Sequence, residues 1–100
     1  MKQVYICFST DILHNGHIRI LQRAAELGEV TVGLLTDEVV ASYKHYPLIP
    51  LEERIAMFEG LKYVSRVVVQ ESLDYTDILN RLRPDIVVHG DDSVSYTHLR

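Results

Sequence analysis

Two histidines, His14 and His17, lie near the start of the chain in the stretch "FSTDILHNGHIRIL". Asn15 and Gly16 separate them, and a helical pattern begins at this point. Gly16 allows close approach to the backbone, and a helix N-terminus offers unpaired N–H groups and partial positive charge. Residues three apart share a helix face, so both imidazoles could donate to phosphate oxygens. The pattern favours a phosphate site, while a capping histidine beside a packed one, or a pair of metal ligands, has the same spacing.

A carboxylate, Asp11, precedes His14 by three residues. Carboxylate oxygens suit Mg²⁺, so Asp11 could hold this ion against the phosphates of a nucleotide. The alternative is an aspartate that hydrogen-bonds to its own backbone in a turn. A zinc site is disfavoured because no second Cys or His cluster at zinc spacing accompanies the histidines.

Composition limits the class of protein. One hundred residues with 47% hydrophobic and 24% charged side chains are typical of one small globular domain. The formal charge of −4 argues against a nucleic-acid partner. The single cysteine, Cys7, lies in an apolar run and predicts a reducing compartment. No signal peptide or membrane span is recognisable, so we expect a cytoplasmic protein with no membrane partner.

Short apolar runs alternate with helical patterns along the chain. Strands are predicted over residues 3–8, 30–35, 65–70 and 85–90. Helices are predicted from Gly16 to about Gly28, from Thr36 or Asp37 through Lys44, after "PLEER", and over residues 75–82 with an end at Pro84. This alternation predicts an α/β, Rossmann-like fold, with a parallel sheet and flanking helices.

Ligands of such sheets bind beyond the carboxyl ends of the strands. The residues predicted at those ends, most of them polar, are Ser9, Thr10, Asp11, His14, Thr36, Asp37, Glu71, His89, Gly90, Asp91 and Asp92. The pair Asp91–Asp92 fits either a solvated loop or a contact to a base or an ammonium group. Three cations, Lys44, Arg54 and Lys62, lie on or beside the second and third helices, where each is more often a surface charge than a ligand. A triphosphate nevertheless requires at least one cation nearby.

With these residues in place, the chain resembles the cytidylyltransferase-like branch of the H-x-G-H nucleotidyltransferase superfamily. Asp11, His14, Gly16 and His17 match its motif, while its Gly-Thr-Phe part is replaced by residues 8–10. Further matches over residues 2–92 are "LLTDE", "ASYK", "EER", "KYVSRV" and "VVHGDD". Within that branch the chain is most similar to the phosphonate cytidylyltransferase domains associated with phosphoenolpyruvate mutase.

The resemblance implies transfer of CMP from CTP to a small phosphonate or phosphate, such as 2-aminoethylphosphonate, with release of pyrophosphate. An ATP-dependent adenylyltransferase is the alternative, because the histidines do not select a base. The implied catalytic residues are His14, His17 and Lys44, and a homodimer is expected. The implied nucleotide ligands are Ser9, Thr10, Asp11, His14, Gly16, His17, Asp91 and Asp92; the implied acceptor ligands are Lys44, Lys62 and Asp37; and Asp11 is the implied Mg²⁺ ligand.

The end of the chain departs from the family pattern. Residues 93–100, "SVSYTHLR", lack the tryptophan expected after "GDD" and the later Ser-Thr segment that contacts the triphosphate. We therefore expect a transferase domain over residues 1–92 that is truncated at its C-terminus, followed by a foreign or truncated tail. An inactive fragment that binds nucleotide, or that dimerises through a sheet edge, is a further alternative.

Overall fold

The structure is a computed structural model that describes residues 2–8, 15–43, 49–90 and 94–98. Within these ranges the elements are β1 (Gln3–Phe8), α1 (Asn15–Leu27), β2 (Glu29–Leu35), α2 (Asp37–Tyr43), α3 (Leu51–Glu59), β3 (Arg66–Gln70), α4 (Thr76–Leu82), β4 (Ile86–Gly90) and β5 (Val94–His98). The predicted strands and helices are confirmed. Their boundaries differ by one or two residues, except that α3 already begins at Leu51, within "PLEER".

The strands form one sheet in the order β3-β2-β1-β4-β5. β1 pairs in parallel with β2 on one side and with β4 on the other, and β3 extends the parallel part beyond β2. Parallel neighbours require long crossover connections, which α1, the α2–α3 pair and α4 provide. The predicted α/β architecture with a four-stranded parallel sheet and flanking helices is therefore confirmed.

One face of the sheet carries the main core. Alternate residues of a strand point to the same face, and those of β1, β2 and β4 meet the apolar stripes of α1 and α3. The buried members are Val4, Ile6, Phe8, Leu21, Ala24, Val30, Val32, Leu34, Phe58, Ile86 and Val88. The polar stripe of α1, including Arg19 and Arg23, faces solvent, so this core holds α1 in a fixed orientation on the sheet.

On the other face of the sheet, the Tyr5 side chain extends across a neighbouring strand. The Tyr5 hydroxyl of β1 donates a buried 2.6 Å hydrogen bond to Gln70 Oε1 of β3. Gly33 of β2 lies between them, and a Cβ at Gly33 would fall on the Tyr5 side chain. Tyr75 meets the Tyr5 ring edge-on, with centroids 6.2 Å apart. The glycine thus allows one side chain to link three strands.

The segment before β4 turns sharply. Arg83 has a left-handed backbone, with φ 49° and ψ 56°, and its N–H donates to the Leu79 carbonyl at 2.8 Å. This closes α4 immediately before Pro84, the residue that predicts the end of the helix.

β5 is the one element that the sequence analysis does not predict. It pairs antiparallel with β4, with Gly90 opposite Val94 and Ile86 opposite His98. Three of the five residues in its sequence, "VSYTH", are β-branched or aromatic, a composition that suits a strand. The segment that the sequence predicts to be a foreign or truncated tail thus contributes an edge strand to the sheet.

Across the described residues, no helix has both the length and the apolar character that a membrane span requires.

Candidate functional site

The site is built where α1 begins. α1 follows β1 and α2 follows β2, so both helices start at the edge of the sheet where the parallel strands end. α1 opens with Asn15, Gly16 and His17, so the second half of the H-x-G-H motif forms its first turn. The N–H groups of that turn and the helix dipole favour an anion there. The described half of the motif thus lies at a helix start, and the phosphate site itself stays a prediction.

An aromatic cluster lies beside His17. The His17 and Phe8 rings meet edge-on, with centroids 5.5 Å apart and planes at 89°. Phe8 in turn stacks on Phe58 of α3 at 5.2 Å and 26°. Both phenylalanines are almost fully buried. The imidazole is therefore in contact with the rigid core, a contact that sequence reasoning did not identify.

The predicted acceptor ligand Asp37 is the first residue of α2. The helix start is capped by Thr36, whose Oγ1 accepts a hydrogen bond from the Val39 N–H at 3.2 Å. One oxygen of the Asp37 carboxylate accepts a 2.6 Å hydrogen bond from Nη2 of Arg54. Asp37 therefore stands at the predicted edge of the sheet, with part of its carboxylate already engaged by a cation of the same chain.

Arg54 is fully buried, although a surface position was the expected one. Its Nε donates to the Ile49 carbonyl at 3.2 Å, while Nη1 has no hydrogen-bond partner within the part of the chain that the structure describes. The spacing of residues along α3 is the sequence feature that indicates this burial. Arg54 is three residues after Leu51 and four before Phe58, which puts it on the apolar side of α3.

Lys62 lies near the amino ends of the parallel strands, opposite the strand ends that carry the site. It belongs to the turn between α3 and β3, with Nζ 5.1 Å from the centroid of the Tyr63 ring. In the same turn the Ser65 N–H donates to the Val30 carbonyl near the start of β2. A strand of five residues spans roughly 16 Å, so a single chain does not bring Lys62 together with His17 or Asp37.

A cavity of about 240 Å³ opens at the carboxyl end of β3. Its polar lining is formed by Gln70, Glu71, Ser72, Asp74, Asp77 and Arg81. Gln70 accepts from Tyr5 and donates to the Ser72 carbonyl at 2.6 Å. Hydrogen bonds from the Thr76 hydroxyl and N–H hold the pKa of Asp74 below its usual value. These groups stabilise the loop before α4.

The remaining predicted site residues lie outside the described part of the chain. They are Ser9, Thr10, Asp11, His14, Lys44, Asp91 and Asp92. No cluster of three or more His, Cys, Asp or Glu side chains that could hold a metal occurs among the residues that are described. The magnesium site at Asp11 thus stays a prediction.

Comparison with known families gives one match. The model of the family described as cytidylyltransferase-like matches residues 7–100. That range includes the whole H-x-G-H motif, the elements that position it, and the tail that forms β5.

The relatives of this chain include FAD synthases and ethanolamine-phosphate cytidylyltransferases. The FAD synthase of Methanopyrus kandleri is 37% identical over 86 residues, which cover 82% of this chain and 57% of the relative. The ethanolamine-phosphate cytidylyltransferase of Dictyostelium discoideum is 35% identical over 97 residues, which cover 93% of this chain and 27% of the relative. The chain spans less than two thirds of the length of the FAD synthases that it matches.

A solved structure has the same fold. The crystal structure of the lipopolysaccharide core biosynthesis protein from Thermoplasma volcanium superposes with a TM-score of 0.82 at 30% identity. The match covers 87% of this chain and 72% of that chain. The predicted family is thus confirmed, whereas the narrower likeness to phosphonate cytidylyltransferases gains no support from these relatives. By its sequence, its fold and the helix start that carries His17, the chain belongs to the cytidylyltransferase-like family.

Proposed function

We propose that this chain transfers CMP from CTP to a small phosphonate or phosphate acceptor, such as 2-aminoethylphosphonate, and releases pyrophosphate. The observation that carries the proposal is the position of His17. It lies in the first turn of α1, at the carboxyl ends of the parallel strands, in a member of the cytidylyltransferase-like family. That position combines an imidazole donor with the helix N–H groups and dipole, the elements needed to bind and stabilise a phosphate.

The reaction would be an in-line displacement at the α-phosphorus. An oxygen of the acceptor forms the new P–O bond while the bond to the β-phosphate oxygen breaks, and pyrophosphate leaves with that electron pair. His17, with His14 as its predicted partner, would donate to the oxygens on which negative charge develops. Positioning and electrostatic stabilisation supply most of the rate in phosphoryl transfer, and no covalent enzyme intermediate is needed.

Magnesium belongs to this proposal through Asp11. When bound, Mg²⁺ would neutralise phosphate charge and favour departure of pyrophosphate. Among the described carboxylates near the site, Asp37 is already paired with Arg54, so it is a poor candidate for the metal. The proposed division of roles leaves Asp11 for the metal, Ser9, Thr10, Asp91 and Asp92 for the nucleotide, and Lys44 for the acceptor or the phosphates. Because Lys62 lies near the amino ends of the strands, it would have to act on the site of another subunit.

The acceptor is proposed from chemistry shared with named relatives. Ethanolamine-phosphate cytidylyltransferases, by name, act on ethanolamine phosphate. This compound and 2-aminoethylphosphonate both carry an amine and a dianionic phosphorus group, and they differ by the ester oxygen. A pocket for one presents the same charges to the other, so both compounds are tested as acceptors.

Adenylyl transfer is the second candidate. FAD synthases, whose product is an adenine dinucleotide, reach 37% identity with this chain, and the described site has no contact that selects cytosine over adenine. The assay therefore includes ATP with flavin mononucleotide as one arm.

We also propose that the chain forms a homodimer through β3. This strand is an edge of the sheet, and the three valines of residues 67–69 are only half-buried. An uncovered edge strand offers unpaired backbone groups to a second strand.

The proposal is tested by pyrophosphate release from the purified chain with Mg²⁺. CTP and ATP are each combined with 2-aminoethylphosphonate, ethanolamine phosphate and flavin mononucleotide. We expect release with CTP and 2-aminoethylphosphonate, and a loss of about 100-fold in His17→Ala because one charge-stabilising donor is removed. Arg19→Ala, an exposed change on the same helix, is the matched control and should keep the parent rate.

Other outcomes decide between the alternatives. Faster release with ATP and flavin mononucleotide would favour adenylyl transfer. CTP binding without release of pyrophosphate in the presence of any of the three acceptors would favour the inactive fragment. Absence of both release and binding at millimolar CTP would refute the proposed function.

A further inference from the structure

Phe8 stands at the junction between β1 and the site. We infer that Phe8 is a positioning residue that sets the orientation of the His17 imidazole toward the phosphates. The inference rests on the proposed function, because it assigns a task to His17 in phosphoryl transfer. Phe8 itself touches no reacting atom in this scheme and acts only through the ring of His17.

The contact has a defined geometry. Edge-on aromatic pairs are favourable at centroid separations of 4.5–7 Å, and the Phe8–His17 pair has 5.5 Å and 89°. Rotation of the imidazole about its Cβ–Cγ bond would lose this arrangement. Since terminal torsions of this kind have broad energy wells, a neighbouring ring is an effective means of selecting one ring plane.

Phe8 is itself held on several sides. It is 3% exposed, its backbone lies opposite Leu34 in the sheet, and its ring stacks on Phe58, which is fully buried. A side chain locked by packing is a suitable support for a group that must be placed within about 0.5 Å. The stack therefore transmits the rigidity of the core to His17.

Helix direction brings the two rings together. Side chains in an α-helix lean toward its N-terminus, so His17 in the first turn of α1 leans toward the end of β1, where Phe8 lies.

The inference is tested first with Phe8→Leu and Ile86→Ala. Both changes remove the same number of carbon atoms from the same core cluster, but only Phe8→Leu removes a ring that touches His17. The assay uses the combination of nucleotide and acceptor on which the parent chain is most active. We expect Phe8→Leu to lower kcat at least tenfold and to change KM for the nucleotide less than threefold. Misplacement of a catalytic group by about 1 Å can cost 100-fold, so a tenfold loss corresponds to partial loss of orientation.

Ile86→Ala should lower the unfolding midpoint by a similar amount and keep kcat within threefold. Phe8→Tyr, which retains the ring, should restore most of kcat, whereas Phe8→Met should behave like Phe8→Leu. Equal losses of kcat in Phe8→Leu and Ile86→Ala would overturn the inference, as would parent-like kcat in Phe8→Leu.

A spectroscopic measurement keeps the inference testable if a variant fails to fold. In protein with labelled histidines, the His17 ring signals are assigned by their absence in His17→Gln. Nuclear Overhauser contacts between the His17 and Phe8 rings in the parent chain support the orientation, and their absence overturns it. If the parent transfers no nucleotide to any acceptor, the proposed function fails, and the spectrum alone then decides whether Phe8 orients His17.

Discussion

At the scale of single residues, the most constrained charge of the described chain is Arg54. A guanidinium with no solvent exposure loses the stabilisation that water provides, so its partners decide whether its burial is tolerated. Asp37 supplies the negative charge and Ile49 supplies a carbonyl. The pair joins the start of α2 to the first turn of α3, which places both helices at the edge of the sheet that carries His17.

We predict that Asp37→Asn destabilises the chain by about 2 kcal/mol. The amide keeps one oxygen acceptor but removes the charge that balances buried Arg54. Urea unfolding measures the change. Glu38→Gln is the matched control, since it makes the same charge change in the same first turn at an exposed position, and it should stay within about 0.5 kcal/mol of the parent. Equal effects of the two changes would show that the helix dipole, rather than Arg54, requires Asp37.

At the scale of elements, the sheet depends on a side chain that crosses a strand. The Tyr5 hydroxyl reaches Gln70 only because Gly33 leaves the space above β2 empty. Burial, followed by the neighbouring Cys7 and Tyr75, raises the pKa of the Tyr5 phenol far above its usual value. The neutral phenol is therefore the stable form in the folded protein. The contribution of this phenol to the free energy of unfolding is complete below the pKa of tyrosine in the unfolded chain, about 10. It is lost as the pH rises above that value.

We predict that Gly33→Ala destabilises the chain by about 3 kcal/mol or more, because the new methyl group overlaps the Tyr5 side chain. Gly60→Ala is the control. Gly60 has φ −79°, and the nearest atom to a Cβ there is 3.5 Å away, so the change should not destabilise the chain. In the Tyr5→Leu background, Gly33→Ala should cost less than it does alone. Additive losses would mean that the overlap is relieved in another way.

At the scale of the whole molecule, the described part of the chain leaves one edge of the parallel sheet open. Among the described strands β3 pairs with β2 alone, whereas the other edge of the parallel part is extended by β5. An uncovered strand with half-buried valines favours pairing with a second copy, and a lysine placed on such a strand opposes it. The proposed dimer therefore uses β3 as its contact strand.

We predict that the chain sediments as a dimer at micromolar concentration and that Val68→Lys shifts it to monomer. Leu27→Lys, which introduces the same charge at a 39% exposed position at the end of α1, should leave the dimer intact. Analytical ultracentrifugation measures both masses. A monomeric parent, or a dimeric Val68→Lys variant that is correctly folded, would contradict pairing through β3.

Local patterns explain how much of the fold was predictable. α1 was expected from Gly16 to about Gly28 and spans Asn15–Leu27, because periodic apolar residues and a terminal glycine define a helix locally. β5 was not expected, because five residues at an edge carry too little pattern to distinguish a strand from a tail. The burial of Arg54 is not predicted from its charge, which favours a surface position, although its spacing puts it on the apolar side of α3.

The order of strands and helices, the strand–helix junction that carries the H-x-G-H motif and the family can all be predicted from the amino-acid sequence. These properties follow from periodicity and short motifs, which act within a few residues. The folded structure is needed to show which groups meet: Asp37 with Arg54, 17 residues apart, and Tyr5 with Gln70, 65 residues apart. It also separated Lys62 from His17 and placed Phe8 against that histidine. Such contacts depend on strand order and on the face to which each residue points, and neither is a local property of the chain.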